Sequence, residues 1–267
     1  MPLLHLILVA IVQGITEFLP ISSSGHLILL PRLSGLADQG QAIDVAVHVG
    51  TLAAVLLYFR ADMAQAFAGL PRLILGRADT PGARLALLLL VASVPVIALG
   101  VLLELTGLDE SMRSLTVIGW ATLVFGILLY WADQMGRSRK TADEWNMQDA
   151  MVIGVWQAIA LIPGTSRSGI TITGARFLGY GRSDAAHVSM LMSVPTIIAS
   201  GVFLGGEAAL DAKLALLRDG AIAAVFAFVA ALVALSVMMR LLRTISFTPY
   251  VLYRIALGLA LLAIAYL

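Results

Sequence analysis

Residues 13–26 read QGITEFLPISSSGH, and residues 157–169 read QAIALIPGTSRSG. Each stretch begins as an apolar helix, meets a proline (Pro20 or Pro163) and continues into a serine-rich turn that ends in glycine. The glutamine that opens each stretch, the first and last serines of each turn and its glycine match at a constant offset of 144 positions, as from Gln13 to Gln157. The two prolines lie one position out of register. This imperfect repeat predicts two related polar segments within one apolar chain.

The composition predicts an integral membrane protein. The 267 residues are 60% hydrophobic and only 12% charged, with a mean hydropathy of +0.96, whereas soluble domains carry about 25% charged residues. Arg254 lies near one end of the last apolar segment, where it is expected to snorkel to the interface. The six segments that approach the roughly 20 residues needed to cross a bilayer are 45–59, 85–103, 114–132, 188–206, 220–239 and 248–267.

The composition also excludes several classes of function. The chain has no cysteine, which excludes disulfides, thiol catalysis and thiolate metal sites. Its net charge is +1, and no basic patch carries interleaved aromatic residues, so no nucleic-acid partner is expected. The apolar residues 3–12 lack a preceding basic region, so we expect no cleavable signal peptide. The chain is therefore interpreted as a single integral membrane domain over 1–267.

Each quoted stretch predicts a re-entrant helical hairpin. The first hairpin is expected over 3–33, with its second short helix at 26–33, and the second over 151–179, with its second helix starting near Ile170. Non-helical backbone at membrane depth is tolerated only where protein buries it or water reaches it. The predicted fold class is an all-α polytopic membrane protein with about six spanning helices plus two re-entrant helical hairpins in an inverted-topology repeat. The repeats cover about 1–132 and 148–267.

The charges of the loops predict how the chain is oriented. Lys and Arg are enriched in cytoplasmic loops, and here one set of alternate loops holds most of them. The richer set is Arg60, Arg72, Arg77, Arg84, Arg137, Arg139, Lys140, Arg176, Arg182, Arg240 and Arg243. The poorer set is Arg32, Arg113, Lys213 and Arg218, in loops that also carry Glu104, Asp109 and Glu110. Both termini are then expected outside, with the hairpins entering from opposite faces and sharing a site between the repeats.

The polar residues of the hairpins indicate phosphate chemistry. Glu17 lies one helical turn after Gln13, so the two share a helix face. A carboxylate within the hydrocarbon region usually has a function, although Glu17 alone also fits a helix end that faces water. Ser22–Ser24 start a helix, whose N–H groups and dipole attract anions, and the guanidinium of Arg167 suits bidentate phosphate binding. Glu17 is the candidate ligand for a divalent cation, and His26 the candidate proton carrier.

The sequences QGITEFLPISSSGHLIL and PGTSRSG resemble the two signature motifs of the bacterial undecaprenyl-diphosphate phosphatase family, also called the bacitracin-resistance protein family. The resemblance covers essentially the whole chain in length, span pattern and motif placement. It implies hydrolysis of undecaprenyl diphosphate to undecaprenyl phosphate plus inorganic phosphate, which recycles the lipid carrier of peptidoglycan synthesis. It also implies a divalent cation, Mg or Ca, and a bacterial cytoplasmic (inner) membrane location with the active site opening to the periplasmic side.

The resemblance carries site residues over by position. It implies that Glu17, His26 and Arg167 are catalytic. Our candidate nucleophile is Ser23, activated by His26 or Glu17, and direct attack by water with His26 as base is the alternative. The family pattern allows Glu or Gln at its first position, and this chain has Gln13, which leaves one carboxylate in the motif. The residues expected to bind substrate lie in and around the two turns: Gln13, Ser22, Ser24, Gly25, Ser166, Ser168, Gly169 and Thr171.

Two further function classes compete with the phosphatase. Inverted hairpin repeats also build alternating-access carriers, so a membrane transporter or polyprenyl-phosphate flippase is the main alternative. An intramembrane Ser–His protease would not require Arg167 or a second serine-rich turn. The convergence of serine, histidine, glutamate and arginine favours the hydrolase. The expected partners are a polyprenyl diphosphate lipid and the membrane lipids, and a homodimer stays open.

The remaining polar residues have simpler interpretations. His5 is expected at the membrane interface, whereas His48 and His187 are expected to form hydrogen bonds inside the helix bundle rather than to act as ligands. Arg176 and Arg182 are expected at the cytoplasmic boundary.

Overall fold

The computed structural model describes residues 2–35, 39–108, 112, 114–210 and 214–267, without the side chains of residues 32–34, 203–210 and 214–215. Several residues of the charge count therefore lie outside the described part of the chain: Asp109, Glu110, Arg113, Lys213 and the side chain of Arg32. The helices, in chain order, are α1 (Leu3–Phe18), α2 (Ser23–Ser34), α3 (Gln41–Tyr58), α4 (Arg60–Ile74), α5 (Pro81–Thr106), α6 (Leu115–Met135), α7 (Met147–Ala158), α8 (Arg167–Phe177), α9 (Arg182–Leu210), α10 (Leu214–Leu241) and α11 (Thr248–Tyr266).

Six of these helices are long and apolar enough to cross a membrane, namely α3, α5, α6, α9, α10 and α11. They overlap the six segments expected from the sequence, so the prediction of an all-α polytopic membrane protein is confirmed. Short 3-10 turns at Ala142–Glu144 and Ile159–Leu161 complete the described helical structure. The shorter helices α1 and α2, and α7 and α8, form the two helix–turn–helix segments at the predicted hairpin positions.

Both hairpins turn through the same unusual backbone geometry. Ser22 has φ 71° and ψ 98°, and Ser166 has φ 70° and ψ 111°. Each of these serines is the N-cap of the helix that follows, so α2 begins at Ser23 and α8 at Arg167. The predicted starts, at residue 26 and near Ile170, are wrong by three residues each, because only the first serine of each turn lies outside the helix. The shared geometry supports the structural equivalence of the two turns.

The helix packing follows the repeat. Helix α1 packs against α10, and α7, the corresponding first helix of the second hairpin, packs against α5. Equivalent spanning helices also pair with each other, α3 with α9 and α6 with α11. This exchange of partners is what a two-fold relation between halves produces. The repeat boundaries and the orientation of each half in the membrane stay predictions.

The hairpins meet at their tips. The hydroxyl of Ser24 accepts a hydrogen bond from the backbone N–H of Gly164 at 3.2 Å. The hydroxyl of Ser168 donates to the carbonyl oxygen of Leu19 at 3.0 Å. Each turn thus satisfies a backbone group of the other, as buried non-helical backbone requires.

Three polar side chains are more buried within the protein than expected. His5 is 3% exposed, Arg176 1% and Arg254 0%. The expectation that Arg254 snorkels is wrong, because its guanidinium binds carbonyls inside the protein, whereas the positions of His5 and Arg176 relative to the membrane boundary stay predictions. Arg176 donates to the carbonyl oxygens of Asp133 at 2.9 Å and Gly136 at 3.0 Å. Arg176 also pairs with the buried Asp133 carboxylate at 3.3 Å. A buried charge is tolerated where it is paired or hydrogen-bonded, and both arginines donate to backbone carbonyls inside the protein.

Among the glycines of the two hairpins, Gly164 leaves the least room for a side chain. Its φ is +93°, and a Cβ atom would overlap the backbone of Ile118 on α6. Gly164→Ala is expected to cost about 1–3 kcal/mol in backbone strain alone and more from the overlap, which a lower melting temperature of the detergent-purified protein would reveal. Gly179→Ala is the matched control, because Gly179 has φ +92° but nothing within 4 Å of its Cβ position. Equal melting temperatures for the two variants would contradict the close approach of the turn to α6.

Candidate active site

A cavity of about 390 Å³ opens where the two hairpins meet α3 and α9. It brings together residues that are about 150 positions apart in the chain, because the hairpin tips contact each other. Its polar lining is Gln13, Glu17, Ser22, Ser23, Ser24, Asp44, His48, Ser166, Arg167, Thr196 and Ser200. Its remaining lining consists of Leu27, Val45, Ala160, Ile197 and Gly201.

An ion pair between Glu17 and Arg167 joins the two hairpins across this cavity. Glu17 lies in the last turn of α1 and Arg167 is the first residue of α8. The Arg167 Nη2 atom lies 2.8 Å from Glu17 Oε1, and the two side chains are only 14% and 9% exposed. Removing one partner of such a shielded pair leaves an uncompensated charge at a cost of about 3–5 kcal/mol. The pair therefore fixes the relative position of the hairpins as well as the charge of the cavity.

The second oxygen of Glu17 faces the candidate nucleophile. Glu17 Oε2 accepts a hydrogen bond from Gln13 Nε2 at 2.9 Å and from Ser23 Oγ at 3.3 Å. Ser23 reaches this oxygen because it is the first residue of α2, immediately after the turn at Ser22. A carboxylate that accepts from a serine hydroxyl is placed to take its proton.

His26 lies outside the described lining of the cavity. Its Nδ1 atom is 2.7 Å from the carbonyl oxygen of Ser22, and its Nε2 atom is 2.6 Å from the hydroxyl of Tyr253. The two rings also stack, with centroids 5.5 Å apart. Both ring nitrogens of His26 are thus engaged away from Ser23, which has Glu17 as its neighbour.

The predicted substrate-binding residues divide into two groups. Gln13, Ser22, Ser24 and Ser166 line the cavity. Ser168, Gly169 and Thr171 are buried in α8 behind it, and Gly25 is buried in the first turn of α2. The Thr171 hydroxyl lies 2.6 Å from the hydroxyl of Ser189 on α9. These four buried residues therefore support the two turns and do not line the cavity.

Comparison with known proteins identifies the family. The chain matches the family model described as "Bacitracin resistance protein BacA" over residues 6–260. The chain belongs to the BacA family. A Dinoroseobacter shibae protein named "Undecaprenyl-diphosphatase" is 69% identical over 266 residues, which is 100% of each chain. Proteins with the same name from Ruegeria pomeroyi and Hahella chejuensis are 66% identical over 100% of each chain and 44% identical over 98% of each chain.

The site of this BacA-family chain does not form a ready-made protein cage for a metal ion. Within the described residues, no group of three His, Asp or Glu side chains is arranged to hold one. Glu17 already has a guanidinium on one oxygen and hydrogen-bond donors on the other. Asp44, which lies outside the motif and was not among the predicted site residues, lines the same cavity. A divalent cation would therefore depend on oxygens supplied by the substrate.

Sequence reasoning missed two residues of the site. His48 lines the cavity on α3, and its Nε2 atom is 3.1 Å from Gln13 Nε2 and 3.8 Å from Glu17 Oε2. Arg254 supports the second turn, donating to the carbonyl oxygens of Gly164 at 3.1 Å and Thr165 at 2.8 Å. Their positions could have indicated this role, because both residues lie inside spanning helices and an ionisable residue there is a functional candidate by default.

Proposed function

We propose that this chain hydrolyses undecaprenyl diphosphate to undecaprenyl phosphate and inorganic phosphate. This reaction returns the lipid carrier used in peptidoglycan synthesis and underlies the bacitracin resistance for which the family is described. Full-length relatives named undecaprenyl-diphosphatase support the proposal at 69% and 66% identity. The observation that carries it is the cavity in which Ser23, Glu17 and Arg167 converge from two distant hairpins.

The geometry supports phosphoryl transfer through Ser23. The hydroxyl oxygen of Ser23 attacks the terminal phosphorus while Glu17 Oε2 accepts its proton, and the bond from that phosphorus to the bridging oxygen breaks. The proton passes from Glu17 to the departing undecaprenyl phosphate. Water then attacks the phosphoserine and gives its proton to Glu17, which returns it to the Ser23 oxygen as inorganic phosphate leaves. Arg167 stabilises the phosphoryl oxygens in both steps, where charge stabilisation and positioning supply most of the rate.

Direct attack by water with His26 as base is supported less well. The His26 ring contacts Ser22 and Tyr253, and it is not part of the cavity lining described above. A histidine in this position instead orients the first turn of α2, because Nδ1 binds the carbonyl of the N-cap residue. We therefore propose a supporting role for His26 and the base role for Glu17.

We also propose a bacterial inner-membrane location, which the family resemblance implies, and a periplasmic opening, which the predicted orientation supports. With the termini outside, α3 runs inward from its Asp44 end, and α9 runs outward toward Ser200. These two ends line the cavity together with residues of both hairpins. This arrangement supports a cavity that opens toward the expected outer face. A substrate with its diphosphate in the outer headgroup layer reaches it without crossing the membrane.

The experiment that tests the function is phosphate release from undecaprenyl diphosphate by the detergent-purified protein. Release by wild type, lost in Glu17→Ala, supports the phosphatase. The same protein in vesicles distinguishes the transporter or flippase, which moves the lipid across the bilayer without releasing phosphate. Lipid movement by a folded wild type that releases no phosphate would overturn the proposal.

A divalent cation, Mg or Ca, is proposed as the cofactor, held chiefly by the diphosphate oxygens. Glu17 would serve as its protein ligand by exchanging one of its present hydrogen-bond donors for the ion. Such an ion neutralises charge on the phosphoryl oxygens. A chelator is expected to reduce phosphate release to background, and added Mg or Ca to restore it. Isothermal titration of the cation is expected to show binding only when a substrate analogue is present, since the protein itself offers few ligands. Full activity in excess chelator would contradict the cofactor and leave the Ser23 mechanism standing.

A further inference from the structure

The tautomer of His48 is set by its own helix. Its Nδ1 atom lies 2.7 Å from the carbonyl oxygen of Asp44, one turn earlier in α3. A carbonyl oxygen only accepts hydrogen bonds, so Nδ1 carries the hydrogen. In the neutral ring, Nε2 is then an acceptor, and it points into the cavity toward Gln13 and Glu17.

Gln13 lies between two acceptors. Its Nε2 atom is 3.1 Å from His48 Nε2 and 2.9 Å from Glu17 Oε2. An amide NH2 group has two hydrogens and can donate to both. Reversing the amide would place its oxygen against two acceptors, so the hydrogen-bond network selects the observed orientation.

The observed orientation of the Gln13 amide leaves one of its own atoms unsatisfied. Gln13 is 0% exposed, and its buried Oε1 atom has no hydrogen-bond partner among the residues that the structure describes. An unsatisfied buried acceptor is destabilising, and only the two contacts of Nε2 fix the amide in this orientation. An amide that has lost the His48 contact is therefore freer to rotate away from Glu17. Rotation would remove the Gln13 donor from Glu17 Oε2, the oxygen that also accepts from Ser23.

We propose that His48 is a positioning residue that holds the Gln13 amide and, through it, directs the Glu17 carboxylate toward Ser23. The inference deepens the proposed phosphatase function and rests on it. Glu17 is then oriented by three groups from three helices: Arg167 on Oε1, and Gln13, held by His48, with Ser23 on Oε2. His48 contributes to turnover without contacting the reacting phosphorus.

The test is a double-mutant cycle in phosphate release with Gln13→Leu, His48→Leu and the double variant. His48→Leu is expected to lower kcat by about 10–100-fold, the usual effect of losing a residue that orients a catalytic ligand, with KM changed less than about twofold. Because His48 acts through Gln13, the double variant is expected to be no slower than Gln13→Leu alone. Independent, multiplying losses would overturn the inference, as would normal kcat in His48→Leu.

A second pair of variants separates hydrogen bonding from simple space filling. His48→Gln supplies an amide that accepts from Gln13, and we expect it to retain at least a third of wild-type kcat. His48→Asn carries the same group on a shorter side chain and is expected to behave like His48→Leu. Equal activity of the Gln and Asn variants would overturn the positioning role, even if His48→Leu fails to fold.

The melting temperatures of the four proteins in the cycle give a readout that does not depend on activity. A non-additive effect of the two leucine substitutions is expected, because each removes the same hydrogen bond. Inactive wild type with this coupling present would reject the proposed function and keep the His48–Gln13 contact. Active wild type with additive melting temperatures and additive kinetics would reject the inference and keep the function.

Discussion

Arg167→Leu is expected to lower kcat/KM for phosphate release by about 10²–10³-fold or more, the effect of removing one charge-stabilising donor from a transition state. The variant is also expected to be less stable, because it leaves the Glu17 carboxylate, which is 9% exposed, without its cation. The loss of stability has the same origin as the loss of rate, since one guanidinium serves both the hairpin contact and the phosphate.

Two companion variants separate these effects. The double variant Glu17→Gln/Arg167→Leu removes both charges, so it is expected to regain stability but not activity. Arg243→Leu is the matched control, because Arg243 is exposed after α10 and far along the chain from both hairpins. Phosphate release and thermal melting of the same preparations are the measurements. More than a tenth of wild-type kcat/KM in Arg167→Leu would contradict the phosphate-binding role.

Ser23→Ala is expected to lower kcat by about 10⁴-fold or more, since removing a nucleophile abolishes the covalent route and leaves only residual catalysis. Substrate labelled in its terminal phosphate is expected to leave label on acid-quenched wild-type protein and none on the variant. The measurement is single-turnover kinetics together with mass spectrometry of the labelled peptide.

Ser24→Ala is the matched control for this prediction. Ser24 lines the same cavity, but its hydroxyl accepts from the backbone N–H of Gly164. Losing that contact is expected to cost about tenfold or less, without loss of labelling, because one neutral hydrogen bond contributes about 1 kcal/mol. Near-normal turnover of folded Ser23→Ala would contradict Ser23 as the nucleophile and would favour direct attack by water.

The architecture was accessible from the sequence because the membrane restricts it strongly. Apolar segments near 20 residues long are spanning helices in a bilayer, and all six such segments form helices long and apolar enough to cross a membrane. The equivalence of the two serine turns was also predictable from the repeated motif, and the structure agrees, because Ser22 and Ser166 adopt matching backbone angles. The meeting of Glu17, Ser23 and Arg167 in one cavity agrees with the sequence-based grouping, while their chemical roles stay predictions.

The details of the site required tertiary structure. His26 lies three residues after Ser23 in α2, yet its ring contacts Tyr253 on α11 rather than the candidate nucleophile Ser23. His48 belongs to neither motif, and it lines the cavity only because α3 packs beside the first hairpin. Its partner is the amide of Gln13, 35 positions away.

The buried arginine Arg254 best separates what the sequence determines from what only the tertiary structure decides. The sequence by itself determined the spanning helices, the paired turns and the family, because those depend on local composition and motif order. Only tertiary structure decided that Arg254 is fully buried and binds the carbonyls of Gly164 and Thr165. Backbone carbonyls belong to every residue and leave no mark in a sequence. Which of them lack a helical partner, and which arginine reaches them, depends on how the helices pack.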